Sequence, residues 1–192
     1  NFIIVLNDNK IVNIKDITSI NIRIARQVIG CSKDILSSVD VRKGVLICGA
    51  PCSGKTTIIR DIARQLSYEC KVSVIDERNE LSSNVNGIFQ NDMGMCDVFD
   101  SYIKSDAIVQ AVRSMAPDVI VCDEISTQKD VEALTYGLNS GVSFIATMHA
   151  DNKQELLNRV ITQEIEIDES LKKKIEFICS FCNTTPIIEN GS

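Results

Sequence analysis

A single histidine, His149, stands among the 192 residues of the chain, and that scarcity removes several chemistries at once. Cys179 and Cys182 form one C-x-x-C, but with no second pair and one imidazole a structural zinc site is short of ligands. No Ser/His/Asp set is recognisable, which leaves Cys52 with His149 as the remaining nucleophile and base pairing. Basic excess is lacking too. Twenty Lys and Arg face 26 Asp and Glu, for a net charge of −6. Non-specific affinity for phosphate backbones needs clustered cations, so no nucleic-acid partner is expected. No apolar run approaches the ~18 to 20 residues that cross a bilayer, so no transmembrane segment is expected. FIIVL at the start gives way at once to NDNK, too soon for a signal peptide. The chain therefore reads as cytoplasmic. It opens at Asn1 inside a strand pattern and without methionine, which points to a fragment of a longer protein.

In a reducing compartment the eight cysteines, Cys31, Cys48, Cys52, Cys70, Cys96, Cys122, Cys179 and Cys182, are expected to serve mostly as small apolar core residues. Cys52 differs, because it falls beside a helix N-terminus, where a thiol's pKa is expected to drop. It reads as a modification-sensitive bystander.

What is present is organised around VLICGAPCSGKTT, Val45 to Thr57. Val45 to Cys48 is the apolar run of a strand buried on both faces. Ile58, Ile59, Ile62, Ala63 and Leu66 then recur at helical spacing. Between them Gly49, Gly54, Lys55 and Thr56 fit G-x-x-x-x-G-K-[ST]. In such a loop the glycines let backbone N–H groups turn inward on phosphate oxygens, the lysine reaches the β and γ phosphates, and the hydroxyl meets Mg²⁺. The helix that follows adds its positive end. The nucleotide-contacting residues are thus expected to be Gly49, Ala50, Pro51, Cys52, Ser53, Gly54, Lys55, Thr56 and Thr57.

Along the rest of the chain, FIIVL and KIVNI flank an NDN turn and predict a β-hairpin. SINIRIARQVIGCSKDIL passes from alternation to a short helical pattern and carries Arg23 and Arg26. KVSVIDE is a second core strand ending in Asp76 and Glu77, followed by Arg78. Residues 79–101 are turn-rich and predict a long functional loop. Ala107, Ile108, Ala111, Val112 and Met115 mark a helix stopped before Pro117. DVIVCDE is a third strand, Val131, Leu134 and Leu138 mark another helix, and VSFIATMHA is a fourth strand. A helix is expected over Leu156, Leu157, Val160 and Ile161, then the charged EIEIDESLKKK connection and a fifth strand at FICSFC. The alternation predicts an α/β fold with a mainly parallel five-stranded core sheet, helices on both faces and a small N-terminal hairpin. Residues 1–43 form the expected hairpin and connecting segment, and 44–192 the nucleotide-binding domain.

Four apolar residues, Val119 to Cys122, carry Asp123 and Glu124 to the C-terminal end of their strand, a Walker B pattern. Asp123 is expected to share the metal with Thr56, and Glu124 to orient and deprotonate the water that attacks the γ-phosphate. KVSVIDE lies in the chain between the two Walker strands, which selects the RecA/ASCE-like branch of P-loop NTPases. The D-x-x-G and Asn-Lys-x-Asp signatures of GTPases are missing. His149 ends the strand expected beside the phosphate-loop strand, where it could sense the γ-phosphate or serve the fold alone.

GAPCSGKTTIIRDIARQLS, VSVIDERNE, RSMAPDVIVCDEI, DVEALTYGLNSGVSFIATMHA and SINIRIAR together resemble the stage III sporulation protein AA family of endospore-forming bacteria, itself similar to type II and type IV secretion ATPases. By that resemblance Asp76, Glu77 and Arg78 form an acidic segment beside the site, and His149 is the histidine after the sensor strand. Asp123-Glu124 stands where secretion ATPases usually have Gly-Glu, implying a more direct metal contact. The resemblance implies a Mg²⁺-dependent ATPase in the mother cell, peripheral to the membrane that engulfs the forespore. It would act as a ring, a hexamer in the full-length protein, with membrane proteins of the same sporulation operon, at the channel between the two cells. Rings of this kind complete their sites with a neighbour's arginine, for which Arg23, Arg26, Arg78 and Arg113 are candidates. Two other readings stay open: a small-molecule kinase with Asp76, Glu77 and Arg78 positioning an acceptor, although no arginine-rich lid is seen, and an ATP-dependent structural adaptor with negligible turnover.

Overall fold

Alternation along each strand decides the architecture of the computed structural model, which describes residues 3–7, 10–19, 26–38, 40, 43–149, 175–179 and 187–190. Every residue of β3 (Gly44–Gly49), β4 (Val72–Asp76) and β8 (Val119–Cys122) is buried, as is β9 (Ser143–His149) up to its last residue. Successive side chains point to opposite faces. Leu46, Cys48, Ile75, Ile120, Phe144 and Met148 therefore pack on one side against α3 (Lys104–Ser114) and α4 (Gln128–Asn139). Val45, Ile47, Val72, Val74, Val121 and Ile145 pack on the other against α2 (Lys55–Leu66), which contributes Ile59, Ile62, Ala63 and Leu66. Strands buried on both faces need helices on both, and the crossovers supply them.

Among the described residues the sheet has seven strands, in which β10 (Ile175–Cys179), β3, β9, β8, β4 and β7 (Asp97–Asp100) lie side by side in that order, and β11 (Ile187–Asn190) flanks β10. All pairs are parallel except β10 with β11. The five expected core strands are β3, β4, β8, β9 and β10, and β7 and β11 extend the sheet at its edges. In space β9 separates the two Walker strands, whereas KVSVIDE, which becomes β4, lies beyond β8. The expected hairpin forms from β1 (Ile3–Asn7) and β2 (Lys10–Lys15), with a register shift between Val5 and Leu6.

The stretch 79–101 is anchored rather than a long open loop. It contains a small hairpin, β5 (Asn84–Val85) with β6 (Ile88–Phe89), and then β7. Leu81 and Ser82 are fully buried, Met93 is in the core, and Arg60 donates from Nε to the Leu81 carbonyl and from Nη2 to that of Glu80. The connecting segment is fastened as well. Asp61 of α2 accepts from the backbone N–H groups of Gly30 and Ser32 and from the Ser32 hydroxyl. Ile35, on the short helix α1 (Lys33–Ser38), is buried in the same core as α2. Cys48 and Cys122 are buried, Cys70 and Cys96 half-buried, and Cys31 and Cys52 exposed. The expected helix at Leu156 to Ile161, the charged connection and Cys182 lie outside the described residues. Among the described residues no helix is long and apolar enough to cross a membrane.

Candidate functional site

The turn from β3 into α2 requires left-handed backbone at Cys52 (φ 62°) and Gly54 (φ 94°). Glycine adopts such a φ without steric cost, and a side chain there would be strained. The loop leaves α2 without a side-chain cap, so its first N–H groups remain available for an anion. Lys55 opens that helix and is 6% exposed. Its Nζ donates to the carbonyls of Gly49 (2.7 Å) and Ala50 (2.8 Å) and lies 3.2 Å from His149 Nδ1. Burial pushes the ammonium below its usual pKa, and the charges of Asp123 and Glu124 act in the opposite sense.

Parallel pairing of β3 with β9 sets Gly49 opposite His149 and so carries the histidine to the loop. An ammonium can only donate, so His149 accepts at Nδ1 and carries its proton on Nε2, which faces Glu124 Oε1 at 3.5 Å. The Thr56 hydroxyl donates to Asp123 Oδ2 at 3.0 Å. These two hard oxygens, on adjoining elements, suit the ligand preference of Mg²⁺. Thr147, buried in the middle of β9, donates to Asp123 Oδ1 and accepts from the Glu124 backbone N–H at 2.8 Å. One hydroxyl thus orients both Walker B residues.

Glu124 follows the end of β8 in the left-handed region, at φ 43°. Its Oε2 accepts from Arg78 Nη1 at 2.5 Å. Lys104, the first residue of α3, donates to the Glu124 carbonyl and stands 3.8 Å from Glu77 Oε2. Together the phosphate loop, Arg78, Glu80, Asp123, Glu124 and His149 line a cleft of about 420 Å³. That volume lies within the range of small-ligand sites.

Most of the expected site residues meet here: residues 51–57, Arg78, Asp123, Glu124 and His149 line the one cleft, while Glu77 sits behind it next to Lys104. Asp76 does not join them. It is 2% exposed, and its two carboxylate oxygens accept from the backbone N–H groups of Glu80, Leu81 and Ser82 and from the Ser82 hydroxyl, so its charge shapes the following turn. Among the arginines, Arg23 lies outside the described residues, Arg26 is exposed on the connecting segment, and Arg113 lies over the Tyr136 ring, 6.0 Å from its centroid. Sequence reasoning missed Thr147 and Lys104. The signal for Thr147 was a hydroxyl inside the apolar run from Phe144 to Met148, two residues before His149 and so on the same side; Lys104 had none beyond its place at a helix start.

A phosphate loop between β3 and α2, with Asp123 one strand removed across β9, defines the P-loop NTPase fold. Solved structures agree: the Legionella pneumophila ATPase DotB superimposes with a TM-score of 0.58 at 21% identity, covering 76% of this chain and 43% of that one. The pilus retraction motor PilT with bound ADP gives 0.57 at 17% identity, over 79% of this chain and 46% of its own. The chain belongs to the family Sporulation stage III, protein AA, whose model matches residues 2–179. Stage III sporulation protein AA of Bacillus subtilis strain 168 is 32% identical over 182 residues, 90% of this chain and 59% of that protein. The chain therefore spans less than two thirds of the length of that relative.

Proposed function

We propose that the chain binds Mg·ATP at the phosphate loop and hydrolyses it, as the motor domain of a sporulation ATPase. One observation carries this reading: Lys55, the Thr56/Asp123 pair and the carboxylate of Glu124 converge on a single cleft. Binding parts alone would serve an adaptor, but a carboxylate beside them serves a reaction. Mg²⁺, when bound, supplies positive charge that draws electrons from the terminal phosphates. Thr56 and Asp123 would hold it, and Thr147 keeps Asp123 turned toward Thr56. Lys55 and the loop N–H groups neutralise the phosphate oxygens. Glu124 takes a proton from the water whose oxygen bonds to the γ-phosphorus, while the bond from that phosphorus to the β-γ bridging oxygen breaks. His149 and Arg78 steady the carboxylate from two sides.

The finer reading follows from family membership. The protein would work in the mother cell, peripheral to the membrane around the forespore, as a homo-oligomeric ring, a hexamer. It would act with membrane proteins of its operon and energise assembly of the intercellular channel or transport through it. Residues 1–43 and 44–192 would be its two units here, and a neighbour's Arg23, Arg26, Arg78 or Arg113 would complete each site. The adaptor reading draws support from the Arg78–Glu124 pair, which occupies the carboxylate at 2.5 Å. The kinase reading loses support because the hydrogen bonds to Asp76 engage both of its oxygens. Phosphate release from the purified full-length protein separates them. ATPase action requires release without any acceptor, stimulated by the membrane partners; phosphate appearing on an acceptor alone indicates a kinase, and retained, uncleaved ATP an adaptor.

A further inference from the structure

Lys104 is a buried charge in an unfavourable setting. It is 6% exposed, and removing an ammonium from water costs several kcal/mol unless its donors find good partners. It also sits in the first turn of α3, where the helix dipole disfavours a cation. Ala107 and Ile108, a turn further on, lie in the apolar core, so an apolar side chain would suit the packing at least as well. The contacts explain what the cation does. Its Nζ donates to the carbonyl of Glu124 and lies 3.8 Å from Glu77 Oε2.

Glu124 itself needs support. A glutamate at φ 43° is strained by about 1 to 2 kcal/mol relative to ordinary backbone. Its N–H is held from one side by Thr147 of β9, and its carbonyl from the other by Lys104 of α3. Both ends of the residue are thus fixed by elements that belong to the core, and its side chain can only leave toward the cleft, where Arg78 and His149 meet it.

We propose that Lys104 is a positioning residue for ATP hydrolysis, locking the Glu124 backbone in its left-handed conformation and linking it to Glu77 at the end of β4. The inference rests on Glu124 being the base. Glu77 accordingly acts on the Lys104 ammonium, at 3.8 Å, and not on the phosphates. Lys104 touches no reacting atom, so its loss lowers the fraction of carboxylates aimed correctly and leaves the nucleotide's own contacts in place.

The test uses the full-length protein with Lys104→Met, which keeps the stem's length and removes the ammonium, and Lys104→Arg, which restores a cation, each in the parental and the Glu124→Gln background. In the parental background Lys104→Met should lower kcat by roughly ten- to a hundredfold, the scale of a misplaced catalytic group. Equilibrium affinity for Mg·ATP should stay within about threefold, and Lys104→Arg should recover part of the rate. In the Glu124→Gln background Lys104→Met should cause no further loss, since it acts through the carboxylate. A crystal structure of Lys104→Met should show Glu124 out of the left-handed region. Parental kcat in Lys104→Met, an equal loss in both backgrounds, or an unchanged Glu124 backbone would each overturn the proposal. If Lys104→Met does not fold, Lys104→Gln, which removes the charge and places its amide nitrogen one bond short of the ammonium's position, carries the same expectations for kcat, affinity and backbone. Should Glu124→Gln hydrolyse ATP at the parental rate, the assignment of the base fails, and the Glu124 backbone in the lysine variant still decides whether Lys104 holds it.

Discussion

Replacing Asp76 by asparagine separates a structural carboxylate from a catalytic one. Asp76 Oδ1 accepts from the N–H groups of Glu80 (2.8 Å) and Leu81 (3.1 Å), and Oδ2 from the Ser82 N–H (2.8 Å) and hydroxyl (2.7 Å). In Asp76→Asn the amide oxygen can keep the first pair. The amide nitrogen then confronts the Ser82 N–H, donor to donor, and only the hydroxyl can turn round to accept. One charge-assisted bond disappears, one buried N–H is left without an acceptor, and the other bonds weaken as the charge goes. At about 1.5 to 3 kcal/mol for a bond to a charged group and about 1 to 3 for an orphaned donor, the destabilisation is about 2.5 to 6 kcal/mol. For a domain of this size that corresponds to a fall in Tm of about 5 to 24 °C. Thermal unfolding checks the stability, and equilibrium Mg·ATP binding to the fully folded fraction checks the site. Affinity should be unchanged within about threefold, because Asp76 faces the turn and not the cleft. A normal Tm with lost nucleotide affinity or turnover would refute this reasoning and return Asp76 to the chemistry.

Lys55→Ala removes the charge expected on the β and γ phosphates, so ATP affinity should fall by about tenfold or more, read by equilibrium binding at equal folded fraction; unaltered affinity would place the nucleotide elsewhere. Glu124→Gln keeps the side chain's size while abolishing its basicity, and hydrolysis should drop by ~10² or more with ATP retained. Sizing in Mg·ATP should then show this variant in the larger species and Lys55→Ala not, whereas a trapped variant that never changes size argues for the adaptor. Burial raises the pKa of Asp61, but hydrogen bonds from Gly30, Ser32 and Arg64 outweigh it and hold the carboxyl at about 2, below its ordinary 3.8. Its folded pKa being depressed, its contribution to stability is full above the ordinary value and is lost as pH falls through about 2. Urea unfolding between those pH values should therefore show a shallower acid slope in Asp61→Asn than in the parent, and identical slopes would refute the linkage.

The two Walker motifs, the five core strands and the helices on both faces were legible because each rests on local regularities. Val45 to Cys48 and Val119 to Cys122 are apolar without interruption, as strands covered on both sides must be. The G-x-x-x-x-G-K-T run encodes its loop through residues that neighbour one another in the chain. β7 was harder to see, since an edge strand is buried less and its pattern is weaker; DVFD holds two apolar residues between aspartates.

What only the tertiary structure decided is which charges act together. Asp76 and Glu77 are adjacent in sequence and looked alike, yet one is folded under into the turn at Glu80 to Ser82 and the other meets Lys104, 27 positions away by the arithmetic 104 − 77. Thr147 and Lys104 come from a strand and a helix that lie to either side of Glu124, and nothing near Glu124 in the chain announces them. Secondary structure and the phosphate loop depend on short-range sterics and on periodic burial, which a sequence carries residue by residue. The orientation of a carboxylate depends on donors brought within 3 Å by strand order and helix crossing, and those distances exist only once the sheet has closed.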